Sequence, residues 1–225
     1  MNHKRHIDIC LTPSIVESVD LSGKHVVVID VFRATSAMCV FLNNGGEKVI
    51  PVSNIEDAQK YKNGFFHHEN DNYLVAAERN GDIVSGFDLG NSPLLYDNRN
   101  FQDSILVITT TNGTQAIEKA KKSHTSMLLA SFLNISSVVE YILKQDKNDV
   151  LIICSGWRGR FCLEDTLLAG LLSNMLLTHS QFTSRSDSVV LARYLYDISK
   201  SDIFKFLKQS AYSQRMDLAQ DVKYC

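Results

Sequence analysis

Cysteine is scarce. Cys10, Cys39, Cys154, Cys162 and Cys225 are odd in number and widely spaced. That argues against the paired framework of a small disulfide-stapled domain. With no CxxC pair, a structural zinc site has no obvious ligand set. Long apolar runs are missing too: no stretch approaches the ~18–20 residues that cross a bilayer, so no membrane partner is expected. The opening residues MNHKRHIDIC are charged and lack the apolar core of a signal peptide, which makes the cytoplasm the expected compartment. Charge of one sign is lacking as well. Lysine and arginine number 23 against 25 acids, net −2, which leaves no electrostatic footprint for nucleic acid. An anionic ligand would have to be caught by local cations.

Proline is limited to three positions, and there is no Gly/Ser-rich tract, internal repeat or low-complexity segment. No linker is therefore legible. Residues 1–225 read as a single α/β domain, with a helical C-terminal subdomain from about residue 164 as the one internal division considered. What is present is an ordinary globular balance of 44% hydrophobic and 21% charged residues.

Apolar runs alternate with helical periodicities. Candidate strands are Ile7–Leu11, His25–Val31, Lys48–Val52, Tyr73–Ala77, Ile105–Thr109, Ser126–Ala130 and Asp149–Cys154. Several are continuously apolar, as strands covered on both faces are. Between them Ala34, Ala37, Met38 and Phe41 repeat at i, i+3, i+4, i+7. Ile135, Val138, Val139 and Ile142 do the same, with Asn134 as N-cap. A stripe from Leu167 to Leu176 marks a longer buried helix. The expected fold is a three-layer α/β/α arrangement with a largely parallel or mixed sheet and a helix-rich C-terminal third. Strand order is not readable.

In open α/β sheets ligands bind beyond the carboxyl ends of the strands. Four such ends carry chemistry. In VVVIDVFRATSA, Asp30 and Arg33 flank a strand-to-helix turn; Asp30 suits a divalent cation or attack on phosphorus, and Arg33 an anion. A helix cap paired with its arginine is the plain alternative. The loop AERNGDIVSGFDLGNSP gathers Glu78, Arg79, Asp82 and Asp88 among glycines that let backbone approach a ligand; it also reads as a turn-rich surface loop. In TTTNGTQAI a strand runs into Thr110, Thr111, Asn112, Gly113 and Thr114 and then a helix over Gln115–Lys121. Amides and hydroxyls there suit an anion, beyond what capping needs. In CSGWRGRFCLEDTLLAG, Arg158 and Arg160 precede Glu164 and Asp165, which open a helix and by themselves complement its dipole. Cys154 could be a nucleophile but reads better as a small buried side chain. Together the acids and arginines fall at one edge of one inferred sheet. That combination suits a very anionic substrate handled with a metal ion.

These four blocks, in this order, resemble those of the 2-phosphosulfolactate phosphatase (ComB) family, and the likeness runs from about Ile7 to the C-terminus. Phe32, where leucine is usual, and Ala77, where glycine is frequent, depart from the pattern without removing a charged or hydroxyl group. The resemblance implies a Mg2+-dependent phosphoric monoester hydrolase that converts 2-phospho-3-sulfolactate to 3-sulfolactate and phosphate. In methanogens that step lies on the way to coenzyme M; in other bacteria a related phosphorylated hydroxy acid would serve. The substrate carries about four negative charges, which requires a cation and several fork-like donors.

On this reading Asp30, Arg33 and Arg158 act in catalysis. Arg79, Thr110, Thr111, Asn112, Gly113, Thr114 and Arg160 bind substrate, and Asp30, with Glu78 or Asp165, holds Mg2+. The attacking group is Asp30 itself or a water. The run from Asp30 lacks a second aspartate two positions on, so it does not match the DxDx[TV] of the phospho-aspartate phosphatases. Two rivals stand beside this reading. A non-catalytic sulfonate or phosphate binding domain would not need the retained acids. A phosphosugar isomerase or aldolase would want a placed lysine or histidine, and His67-His68 sits in a polar loop. The apolar Ile203, Phe204, Phe206 and Leu207 suit either cover for the sheet or a homodimer contact.

Overall fold

A computed structural model describes residues 4–66, 71–79, 81–121, 126–145, 147–215 and 219–225. His67 and His68 lie outside the described residues. The strands are β1 (Arg5–Cys10), β2 (Lys24–Ile29), β3 (Lys48–Pro51), β4 (Asn72–Arg79), β5 (Asp82–Ile83), β6 (Ser104–Thr109), β7 (Met127–Ala130), β8 (Asp149–Cys154) and β9 (Phe182–Thr183). The helices are α1 (Ala34–Asn43), α2 (Ile55–Lys62), α3 (Gly113–Ala120), α4 (Ile135–Lys144), α5 (Leu163–Leu177) and α6 (Asp187–Ser199), then the short α7 (Ile203–Leu207), α8 (Ala211–Arg215) and α9 (Ala219–Tyr224).

The α/β class, the parallel strands and the helical C-terminal third are as the sequence implies. The strands, however, form two sheets rather than one. A five-stranded parallel sheet runs β7-β2-β8-β1-β9, and a four-stranded sheet runs β3-β6-β4-β5, antiparallel only at β4-β5. Continuous apolar runs say that a strand is covered on both faces, not which sheet it joins, so the division left no mark in the pattern.

Between the sheets lie α1 and α3. Val26, Val28, Leu151 and Ile153 from the larger sheet, Leu106 and Ile108 from the smaller one, and Ala37, Met38, Phe41 and Ile117 from the two helices share one core. This explains why α1 is buried nearly all round, down to Thr35 and Ser36, while its sequence shows only one stripe. On the far face of the larger sheet Ile7, Ile9, Val27, Ile29 and Ile152 meet α4, α5 and α6. On the far face of the smaller sheet Val75 and Val107 meet α2 through Ala58. The layers therefore run helix, sheet, helix, sheet, helix.

One local expectation changes, and one helix was not expected. Asn134 stands at the N-cap position of α4, but its Oδ1 accepts from the Ser131 amide at 2.8 Å and its Nδ2 donates to Leu129 O at 2.9 Å, so it braces the turn instead of the helix. Helix α2, with Ala58 its one buried residue, is too polar to leave a stripe; Asn54 caps it through the Asp57 amide at 2.7 Å. No helix among the described residues is long and apolar enough to cross a membrane.

Candidate active site

The carboxyl ends of β2 and β8 from the larger sheet and of β4 and β6 from the smaller one meet around a cavity of about 210 Å3. Of the residues expected at the site, Asp30, Arg33, Glu78, Thr110, Thr111, Asn112 and Arg158 line it. The shared edge belongs to two sheets whose ends converge.

Strand β2 is apolar because both its faces are covered, and Val26 to Ile29 are fully buried. It delivers Asp30 to the cavity wall at 7% exposure. The turn behind is closed by Thr35, whose amide and hydroxyl both donate to Asp30 O, at 3.1 and 2.8 Å. The Ala34 amide reaches Asp30 Oδ1 at 3.4 Å, so the capping role exists but is long. Arg33 does not pair with Asp30. It donates to Asp221 Oδ2 at 2.8 Å and to Gly81 O at 3.0 Å, and the Arg33–Asp221 pair is buried. Asp221, on α9, also accepts from Ser92 Oγ. Burial raises the Asp30 carboxyl to about 7, Glu78 and Glu164 add to the rise, and the Ala34 amide and Arg33 oppose it. A Cβ on Gly113 would lie 2.5 Å from Asp30 Oδ2, so only glycine lets the start of α3 stand this close to the carboxylate.

The other acids divide their work. Glu78, at the end of β4, accepts from the Gly81 amide and from Thr111 Oγ1 at 3.5 Å. Glu164 and Asp165 are neighbours in the first turn of α5 but point apart. Glu164 lines the cavity. Asp165 accepts from the amides of Val31 and Gly156, both at 2.9 Å, and so ties the turn after β2 to the turn after β8. It is 2% exposed and stands behind the wall. Burial, with Asp30 and Glu164 nearby, holds the Asp165 carboxyl well above its ordinary range, against the pull of those two amides. Asp88 is further off: it accepts from the Val75 amide at 2.9 Å and pairs with Lys62.

Among the described residues no three His, Cys, Asp or Glu side chains form a ready-made metal cage. The donor chemistry nevertheless fits a hard cation. Mg2+ commonly takes one or two carboxylates and leaves its other positions to water and substrate phosphate. Asp30, Glu78 and Glu164 face one cavity, and Glu78 and Glu164 both push the Asp30 carboxyl upwards.

The cations and the TTTNGT turn are arranged less evenly than their spacing implies. Arg158 stands exposed at the mouth with its guanidinium 4.6 Å from the Trp157 ring centre. Its amide donates to Asn112 Oδ1 at 2.9 Å, which ties the turn after β6 to the loop after β8. Thr114 lies behind the wall; its hydroxyl donates to Thr110 O at 3.0 Å. Arg79 donates to Glu78 O at 2.6 Å and does not line the cavity. Arg160 is exposed and lines a separate groove beside Phe161. Burial and Asp165 hold the Cys154 thiol well above its ordinary range, which removes it as a nucleophile.

Residues 10–225 match the family described as 2-phosphosulpholactate phosphatase. The chain belongs to the 2-phosphosulfolactate phosphatase family. It is 36% identical over 218 residues to a protein of Caldanaerobacter subterraneus named as a probable 2-phosphosulfolactate phosphatase, covering 95% of this chain and 88% of that one. A protein of the same name from Thermotoga petrophila is 39% identical over 202 residues, 88% of this chain and 82% of its own. One from Synechocystis is 35% identical over 203 residues, 88% and 83% of the two chains.

For this family member the cavity also contains groups that the strand-end argument did not single out. Asn91 and Trp157 sit inside the quoted blocks but were not among the candidates. Glu164 was recognised as an acid, yet Asp165 beside it was preferred for the metal. Only the helical turn, which points consecutive residues about 100° apart, decides between them. Tyr212 lines the wall from α8, and Asp221 reaches Arg33 across 188 positions of sequence; neither left a local signal.

Proposed function

We propose that the chain is a Mg2+-dependent phosphoric monoester hydrolase acting on 2-phospho-3-sulfolactate, releasing 3-sulfolactate and phosphate. One observation carries this reading: three carboxylates, Asp30, Glu78 and Glu164, and two arginines, Arg33 and Arg158, share one small cavity. Apart from a bound cation, such a cluster of acids costs stability without return. The names of the relatives supply the substrate. Its phosphate, carboxylate and sulfonate suit a site that pairs cations with carboxylates.

Asp30, with Glu78 and Glu164, would hold Mg2+, replacing the earlier preference for Asp165, whose oxygens are both engaged by backbone amides. When bound, Mg2+ supplies charge stabilisation at a phosphoryl oxygen. The protein's own groups do the rest. Arg158 at the mouth draws the anion in. Arg33, held by Asp221, offers a guanidinium that does not have to be reoriented, and the Thr110–Asn112 turn adds hydroxyl and amide donors. Asp30, fixed at the end of β2, can take a proton from an attacking water or attack the phosphorus itself. Rapid quench with labelled substrate separates these routes: a trapped phosphoprotein that Asp30→Asn abolishes means Asp30 attacks.

The deciding experiment is phosphate release from 2-phospho-3-sulfolactate with Mg2+ and with excess EDTA, beside a panel of ordinary phosphomonoesters. Release that requires Mg2+ and favours the sulfolactate ester is expected. No release from any ester by folded protein would overturn the hydrolase reading and favour a binding domain.

A further inference from the structure

Two polar side chains in the cavity wall bring neither a carboxylate nor a cation to the site. Asn91 and Tyr212 are each 6% exposed. Asn91 Oδ1 and Tyr212 Oη are buried and have no hydrogen-bond partner among the described residues. A buried polar atom left unsatisfied costs about 1–3 kcal/mol, so two of them lining one cavity mark a place where a ligand completes the bonding. Both line the same cavity as the carboxylates and arginines.

Their supports are specific. The Tyr212 ring packs on Phe32 at 4.8 Å between centres, and Phe32 directly precedes Arg33. The ring and the guanidinium are thus carried on one turn. Asp221, on α9 after Tyr212's α8, holds the other side of Arg33. Burial raises the phenol far above its ordinary value, so it is a hydrogen donor at any working pH. Asn91 follows Gly90, whose carbonyl accepts from buried Tyr96 Oη at 2.6 Å, and this anchors the residue before it. Oδ1 itself would repel an anionic oxygen; with the side-chain amide turned about its last bond, the NH2 takes that place and donates to it. Neither group carries charge and neither can ligate or transfer phosphate as the acids and arginines do.

We propose that Tyr212 Oη and the Asn91 amide form a recognition subsite for the part of the substrate that is not transferred, its carboxylate or sulfonate. This deepens the hydrolase reading and rests on it. The subsite makes the enzyme choose a phosphomonoester with a second acid on the same short skeleton over a plain alkyl phosphate. The C-terminal helices supply half of it.

The test uses Tyr212→Phe, which removes one hydroxyl and keeps the ring on Phe32, with Asn91→Ala as the second variant. Two measurements are made on the full chain with Mg2+ present. Turnover of 2-phospho-3-sulfolactate and of a plain alkyl phosphate gives kcat and KM for each. Calorimetry with 3-sulfolactate and separately with inorganic phosphate reports binding without chemistry. The expected result is a loss of about tenfold or more in kcat/KM for the acid-bearing ester and in 3-sulfolactate affinity, with the plain ester and phosphate changed less than about twofold. Equal losses for both ligands, no loss for either, or no binding of 3-sulfolactate by the unaltered protein would overturn the subsite. Absent turnover alone would count against the hydrolase reading, while the calorimetric pair would still decide recognition.

Discussion

The two sheets contribute almost equally to the cavity and very unequally to the core. The larger sheet is covered on both faces, by α1 and α3 on one side and by α4, α5 and α6 on the other. The smaller shares the first of these covers, but on its outer face, among the described residues, the buried cluster is the trio Ala58, Val75 and Val107, with half-buried Ile50, Val52, Tyr61, Tyr73 and Phe87 around it. The deep half carries Asp30, Glu164 and the Asp165 tie. The shallow half carries Glu78 and the threonine turn. The site thus takes Asp30, Glu164 and both arginines from the more thickly covered sheet, and Glu78 with the threonine turn from the one with less cover on its outer face.

This contrast can be tested by separating activity from stability. The largest effect is expected from Asp30→Asn. Turnover should fall by about 10³-fold or more, while the melting temperature rises, because a buried ionisable group beside two acids is gone. Phosphate release and thermal melting check both halves; a melting temperature that falls would show that the charge is compensated in the resting protein. Next come the neighbours Glu164 and Asp165. Glu164→Gln should cost about 10²-fold in turnover with little loss of stability. Asp165→Ala should strand two amides and cost about 2–5 kcal/mol in denaturant unfolding. Similar stability losses for both would contradict the division of work between them.

The third effect is on pH. Asp30 has a folded pKa of about 7 against an ordinary 3.8, so the folded state binds its proton more tightly. Its contribution to stability is complete below the ordinary value and is lost as pH rises through about 7. Without metal the melting temperature should therefore decline from pH 5 to pH 8 more steeply in the unaltered protein than in Asp30→Asn. Added Mg2+ should raise it more at pH 8 than at pH 5, where protons compete for the carboxylate. The smallest effect compares the sheets directly. Val27 and Val107 are both fully buried, in the larger and smaller sheet. Val27→Ala should cost about 1 kcal/mol more than Val107→Ala, because the denser surroundings collapse less around the cavity. Equal costs would dissolve the distinction.

Much of this was legible in sequence. All seven expected strands form, with ends shifted by a residue or two, because a run such as Val26–Ile29 has few alternatives once both its faces are buried. Asp30, Glu78 and the Thr110–Asn112 turn meet because strand ends in parallel sheets collect at one edge, whichever sheet they come from. What stayed hidden depends on direction and distance. The different directions of Glu164 and Asp165 follow from the phase of one helical turn. Asp221 and Tyr212 arrive from helices that touch the site only after the whole chain has folded back. The two-residue strands β5 and β9 are too short to carry any period, and β9 gains its place by pairing with Arg5 and His6 at the far end of the chain.

The path of the chain through the two sheets has a topological consequence. After β2 the chain leaves the larger sheet, completes the smaller one from Lys48 to Thr109, and only then returns to add β7 beside β2. The smaller sheet is an excursion nested inside the larger one. A single cut in the polypeptide therefore cannot yield one piece with each sheet intact: isolating them takes two cuts, and the larger sheet would then be held together from two separate segments. The cavity wall follows the same itinerary: the smaller-sheet half, from Glu78 to Asn112, lies on one continuous stretch, whereas the larger-sheet half is split between segments before and after it.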